Sequence, residues 1–348
     1  MKTNLIGLFA AAAAVAALAG CGGSASSPAP SSVTPTAPAP APAPTPAAPP
    51  PALAAVATLP PGTSPPVGAA DCANLQAATV SAPTVVGADM QAASDVLAVV
   101  DPAHGYSALA RLPSTLIWWL RAAGSEVDEI TLGAAVHETN HKIDFALRYA
   151  CHTDGLARYF ADGQTHFTGL AVGSTSNYSI VAEAYPAALK SPRALRFDLY
   201  VAGAAAANSN DFSVLLEELN AYAGGANFEV NLLSNSAYSY LSKSGDFNLG
   251  GMTDFMLFLQ SYISSARLSH PASYASIQSS SQTLSFIQFA WTRAERILIA
   301  AYPYSTASGG TQVVPVDVIA QIYSAPFLSE LDRLGITHKV AADWSYLR

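Results

Sequence analysis

The chain has 348 residues and a mass of 35.9 kDa, enough for one large domain or two small ones. Charged residues make up 11% and hydrophobic residues 51%, and 16 Lys+Arg against 24 Asp+Glu leave a net charge of −8. That balance excludes a general nucleic-acid binder, which needs basic surface to displace counterions from phosphate. Mean hydropathy is +0.27, but the first 70 residues skew it, and no uncharged apolar run long enough to span a bilayer follows them, which argues against a polytopic membrane protein.

The N-terminal segment reads as targeting. Lys2 is the only charge before Asp71, and an apolar stretch from Leu5 to Ala19 closes on Leu18-Ala19-Gly20-Cys21. A positive start, an apolar middle and small residues at the cut describe a signal peptide over residues 1–20. Leu-Ala-Gly-Cys resembles the lipobox of bacterial lipoproteins. The resemblance implies that Cys21 becomes the acylated first residue of the mature protein, with the membrane as a partner through this N-terminal lipid anchor. An Asp after the cysteine would resemble the inner-membrane retention signal. Gly22 stands there instead, which favours the outer membrane of a bacterial cell envelope. Residues 21–70 then form a tether. Fifteen of the 24 prolines lie between Pro28 and Pro66, and proline removes backbone donors and favours extended polyproline II, so this stretch cannot pack as a core.

Residues 71–348 form the folded body. Of the three cysteines, a lipidated Cys21 leaves Cys72 and Cys151, which in an oxidising compartment most simply form one disulfide. Helices are expected at Ala88–Val100, stopped by Asp101-Pro102, at Leu112–Ala123 around Trp118-Trp119, and from Val127 to Ala150, where Ser125 and Asp128 supply a capping arrangement. Beyond Cys151 the texture changes. Asp162-Gly163, between Arg158–Ala161 and Thr165–Thr168, is a hairpin signal. Tyr178–Ala184 and Ala194–Val201 also have the aromatic and β-branched content of strands. Helix returns at Phe212–Ala223, ended by Gly224-Gly225, and at Thr253–Ala266, Gln278–Ala300 and Val316–Leu334. The fold class is α+β, mainly helical, with a small antiparallel sheet in the middle.

One motif carries chemistry. His137-Glu138-Thr139-Asn140-His141 is an HExxH sequence within the Val127–Ala150 helix. Residues four apart share a helix face, so His137 and His141 can point at one metal ion, and neutral imidazole suits Zn²⁺. Glu138 is turned to one side of that pair, where a carboxylate can take a proton from an attacking water as general base. A catalytic zinc needs a third protein ligand. Asp144, three residues after His141, is awkward as a direct ligand and better placed to accept the outer N–H of a ligating histidine.

The Phe212–Ala223 helix contains Glu217-Glu218-Leu219-Asn220-Ala221. Together with HExxH this resembles the gluzincins, zinc metallopeptidases whose third ligand is a Glu on a second helix. In that superfamily a small residue commonly follows the ligand three positions later, and Glu218 has Ala221 there whereas Glu217 has Asn220. The resemblance therefore implies His137, His141 and Glu218 as metal ligands, with Glu217 in reserve. It also implies a zincin-like core and a peptide or protein substrate. Adjacent helical residues point about 100° apart, so only one of the two can be the ligand. The resemblance covers only these two helices. The expected strands follow the HExxH helix rather than precede it, and 77 positions separate His141 from Glu218.

Tyr200, Tyr222, Tyr238, Tyr240 and His166 are candidate donors to a developing oxyanion. Thr165–Leu170 or Arg196–Val201 could offer an edge to an extended peptide. The function expected is an envelope-anchored zinc-dependent hydrolase. The rival is a non-enzymatic lipoprotein with a structural or vestigial metal site, which a fourth protein ligand would favour.

Overall fold

The computed structural model describes residues 67–77, 88–115, 129–192, 196–203, 211–234, 247–304 and 316–344. Cys21, the signal peptide, nearly all of the tether, the Ser125–Asp128 capping arrangement, Trp118-Trp119, Tyr238 and Tyr240 lie outside them. Within them the chain is mainly helical with one two-stranded antiparallel sheet.

Helices α1 (Ala69–Gln76), α2 (Ala88–Val100) and α3 (Gly105–Arg111) come first. Asp101 ends α2, and its carboxylate accepts from Gly105 N at 2.9 Å to open α3. The motif helix α4 spans Glu129–Phe145 and runs on into a π-helical turn, Ala146–Ala150. Its Leu132, Ala135 and Val136 pack between α2 and Phe228 and Leu232 of a later helix. Ile143, Ala146 and Leu147 close over Leu75, Leu112 and Phe160. Cys72 and Cys151 are joined in a disulfide, Cα to Cα 5.2 Å, which ties α1 to the end of the π turn.

Strands β1 (Leu156–Ala161) and β2 (Gln164–Ala171) form the hairpin expected from Asp162-Gly163. Both turn residues have positive φ, 48° and 80°, the two-residue turn whose twist matches paired strands.

The described parts of the two other expected strands, Tyr178–Ala184 and Arg196–Val201, are helical. Asn177 caps a 3₁₀ turn, Tyr178–Ile180, by accepting from Ser179 N at 2.8 Å, and α5 (Val181–Ala184) and α6 (Ala187–Lys190) follow. Phe197–Ala202 is a second π turn. Its buried residues, Phe197, Tyr200 and Val201, are spaced three and four apart, a helical period that aromatic and β-branched content disguised.

Helix α7 spans Phe212–Leu233, ten residues beyond the expected stop. Gly224-Gly225 does not end it. A β-carbon at Gly224 would strike the His104 ring, and one at Gly225 the Asn248 carboxamide, so these glycines admit neighbours against the helix backbone. Helix α8 (Phe247–Ser269) runs through the main core, burying Met252, Phe255, Met256, Leu259, Tyr262 and Ile263. The helix expected at Gln278–Ala300 is α10 (Ser281–Ala301), begun where the Ser280 hydroxyl accepts from Thr283 N at 3.1 Å, and an unexpected shorter helix, α9 (Pro271–Ser279), precedes it. The last expected helix is two, α11 (Val316–Ile322) and α12 (Ala325–Arg333), restarted at Ser324 with Pro in the first turn.

Candidate metal centre

Helices α4 and α7 pack face to face, and the site lies between them. His137 and His141, one turn apart on α4, bring their Nε2 atoms to 3.1 Å of each other. A Glu218 carboxylate oxygen lies 3.3 Å from His141 Nε2. One ligand atom from each of the three residues falls within 4.8 Å of the others, and among the described residues they form the one such group that could hold a metal ion. Donors bonded at about 2.0–2.2 Å in a tetrahedron stand about 3.3–3.6 Å apart, close to the two spacings that His141 Nε2 makes with His137 and Glu218. Two imidazoles and a carboxylate are the donor chemistry of a borderline-soft divalent cation.

The charges agree. Burial, then the neighbouring His141 and Arg196, hold His137 well below the usual histidine range. Burial works against His141 too, but the charge of Glu218 and hydrogen bonds to Glu217 and Glu218 carry it well above. The surroundings of His141 therefore favour a positive charge where the three donors meet.

The two adjacent glutamates divide as their 100° offset requires. Glu218 turns to the histidine Nε2 atoms. Glu217 turns to the other side of His141, its Oε1 3.2 Å from Nδ1, and its Oε2 meets Arg148 Nη2 at 2.8 Å. Asp144 is engaged elsewhere. It accepts from Phe160 N at 2.6 Å, from Asn220 at 3.1 Å and from Asn140 at 3.0 Å, joining α4, β1 and α7 behind the site. Burial pushes its carboxyl up. The carboxylate at an outer histidine nitrogen is thus that of Glu217.

His137 is supported by Asn248, whose side-chain hydrogen bond favours the protonated ring. Glu229 holds Asn248 in turn, accepting from its Nδ2 at 2.6 Å and from Leu249 N at 3.1 Å. Tyr222, on α7, sets its ring edgewise on His137 at 4.3 Å, and its hydroxyl lies 3.2 Å from that of Tyr200. Arg196 lies over the Tyr222 ring and pairs with Asp254 at 3.1 Å. His166 is committed to the Phe286 and Phe289 rings.

Glu138 is partly exposed. Its surroundings, with Glu218 adding to the burial effect and His141 opposing it, push its carboxyl up to about 7. His141 is also partly exposed, whereas His137 and Glu218 are buried.

Sequence reasoning passed over Arg148, Asn248 and Glu229. Two had a signal. Arg148 is seven residues after His141 and Glu229 eleven after Glu218, each within about 20° of the same helical face. Asn248 had none, because only tertiary packing brings α8 to α4. Of the two stretches considered as peptide edges, Arg196–Val201 lies in a π turn. In Thr165–Leu170, the Thr168 carbonyl is taken by the Ser280 and Thr283 hydroxyls at 2.8 and 2.9 Å.

Comparison of the chain with known protein families, curated proteins and solved structures finds no match.

Proposed function

We propose that this chain is an envelope-anchored, zinc-dependent hydrolase of peptide or protein substrates, lipidated at Cys21. The observation that carries the reading is the convergence of His137, His141 and Glu218 beside a partly exposed Glu138. Such a site suits catalysis because three protein donors leave a coordination position for water or substrate, whereas a fourth would close it.

A zinc ion held there by His137, His141 and Glu218 would supply Lewis acidity, polarising a scissile carbonyl and making water a better nucleophile. The chain's own residues do the rest. Glu138, beside the ligands but outside their set, is placed to take a proton from an attacking water and return it to the leaving amine. His137, neutral through burial, offers a lone pair rather than a proton. Glu217 on Nδ1 leaves the Nε2 of His141 as its donor to a metal.

Substitution separates ligands from base. Removing a ligand removes binding free energy and empties the site. Glu138→Gln keeps the shape, leaves the ligands intact and removes the proton acceptor. Elemental analysis of purified variants should therefore find zinc in wild type and Glu138→Gln, and little in His137→Ala, His141→Ala or Glu218→Ala. A peptide-library assay should find cleavage in wild type alone. Wild-type cleavage by Glu138→Gln would defeat the assignment of the base. Stoichiometric zinc with no cleavage of any library member would favour the structural-site lipoprotein.

A further inference from the structure

We infer that Arg148 is a positioning residue for His141, acting through the Glu217 carboxylate. This rests on the metal-site reading above, but not on hydrolysis.

The three groups form a chain with no slack. One carboxylate uses its two oxygens for two different partners, Oε1 for His141 Nδ1 at 3.2 Å and Oε2 for Arg148 Nη2 at 2.8 Å. A carboxylate held by one end could rotate away from the imidazole, and one held by both cannot. Arg148 is 2% exposed and Glu217 8%. Desolvating two ions is expensive, and a buried pair of this kind is often no more stable than an apolar replacement. Stability alone is therefore a weak reason for its presence. What the pair does achieve is a fixed orientation and tautomer for the ring that faces the metal group.

The local backbone serves the same end. Arg148 is two turns beyond His141 and sits in the wider π turn, Ala146–Ala150, closed by Cys151 N to Ala146 O at 2.8 Å. Turns of this type interrupt helices most often at functional sites. The disulfide from Cys151 to Cys72 fastens the far end of the turn. The guanidinium is packed near the rings of Tyr149 and Tyr159, each 5.8 Å away, so its direction is set from several sides.

The test measures metal affinity on the full chain by chelator competition with zinc. Arg148→Met should weaken zinc binding by about 10- to 100-fold, the usual loss when an outer-sphere partner of a ligating histidine is removed. Arg148→Lys, which retains the charge, should recover part of the loss. Should Arg148→Met fail to fold, the double variant Arg148→Met/Glu217→Gln removes both buried charges and should fold while still binding zinc weakly. In zinc-loaded wild type the His141 Hδ1 proton should give a slowly exchanging NMR signal, lost in both Arg148→Met and the double variant. A folded Arg148→Met or double variant with wild-type zinc affinity and an unchanged Hδ1 signal overturns the inference, even if the protein is an active hydrolase. Weakened zinc affinity in Arg148→Met, beside a wild type that binds zinc and cleaves nothing, sustains the inference and sinks the hydrolase. A wild type that binds no zinc sinks both.

Discussion

His104 shows at the scale of one residue what burial does to chemistry. It is fully buried between α2 and α3, its Nδ1 accepts from Asp162 N at 3.3 Å, and its ring lies in the space opened by Gly224. Burial first, then the charge of Arg293, lowers its pKa to about 3, with Asp162 opposing. The folded value is thus depressed below the unfolded 6.5. Between those two values the unfolded chain binds the extra proton, so stability is retained above pH 6.5 and lost as pH falls toward 3. Asp101 runs the other way. Burial raises its carboxyl to about 6, so its contribution is present at low pH and lost as pH rises through 6. Comparison with His104→Gln isolates the histidine, because Asp101 is common to both proteins. In urea unfolding at pH 7 and pH 4.5, wild type should lose about 2–3 kcal/mol more than the variant on acidification, two pH units at about 1.4 kcal/mol each. Equal losses would mean that His104 does not remain neutral in the fold.

At the scale of elements, α1 is held to the body by two devices. Arg111 donates to the carbonyls of Asn74, Leu75 and Ala77 at 2.9, 3.0 and 3.2 Å, and the disulfide joins Cys72 to Cys151. The bond closes a loop with a sequence separation of 79, and loop-closure entropy for that length is about 4.5 kcal/mol, less any strain. Thiol labelling without reductant should find neither cysteine in protein from an oxidising compartment. Cys72→Ser/Cys151→Ser should lose about 2–4 kcal/mol in urea unfolding, and unchanged stability would show that the link constrains nothing. This pairing was legible because a Cys21 set aside for lipid, as expected from the lipobox resemblance, would leave only two cysteines. The hairpin was legible because Asp-Gly carries its own turn geometry, and α4 because its His-Glu pattern and apolar residues share one period. Elsewhere local cues misled. Tyr178–Ala184 and Ala194–Val201 have strand composition, yet their apolar residues meet α8 and α7 at helical spacing. Gly224-Gly225 reads as a stop, but tertiary contacts with His104 and Asn248 reverse its meaning. The choice of Glu218 over Glu217 rested on the resemblance; that the two face different partners followed from their offset. That Glu217 rather than Asp144 supports His141 did not, because Asp144 is drawn to Phe160 N by a strand whose position no local pattern gives.

For the whole molecule, the remaining question is what would hold a folded body at a membrane. Among the described residues no helix is long and apolar enough to cross one. The apolar stretch Leu5–Ala19 is short for a span and has the length of a signal-peptide core. Surface attraction is no substitute, since a net charge of −8 is repelled by anionic headgroups. In our reading membrane retention depends on acyl chains at Cys21, which add about 0.8 kcal/mol per buried CH₂ and need more than one chain for stable anchoring. Between that cysteine and Asp71 the proline-rich tether, at ~3.1 Å per residue when extended, could stand the body on the order of 100 Å from the bilayer. Anchor and body should therefore be separable. Cys21→Ser, expressed with its signal peptide, should incorporate no labelled fatty acid and move from the membrane to the soluble fraction. Because the substitution lies far along the chain from α4 and α7, zinc content per folded molecule should equal that of wild type. Release with zinc retained is the expected result. An unlipidated variant that stays with the membrane through salt and carbonate washes would show that something other than Cys21 anchors the protein.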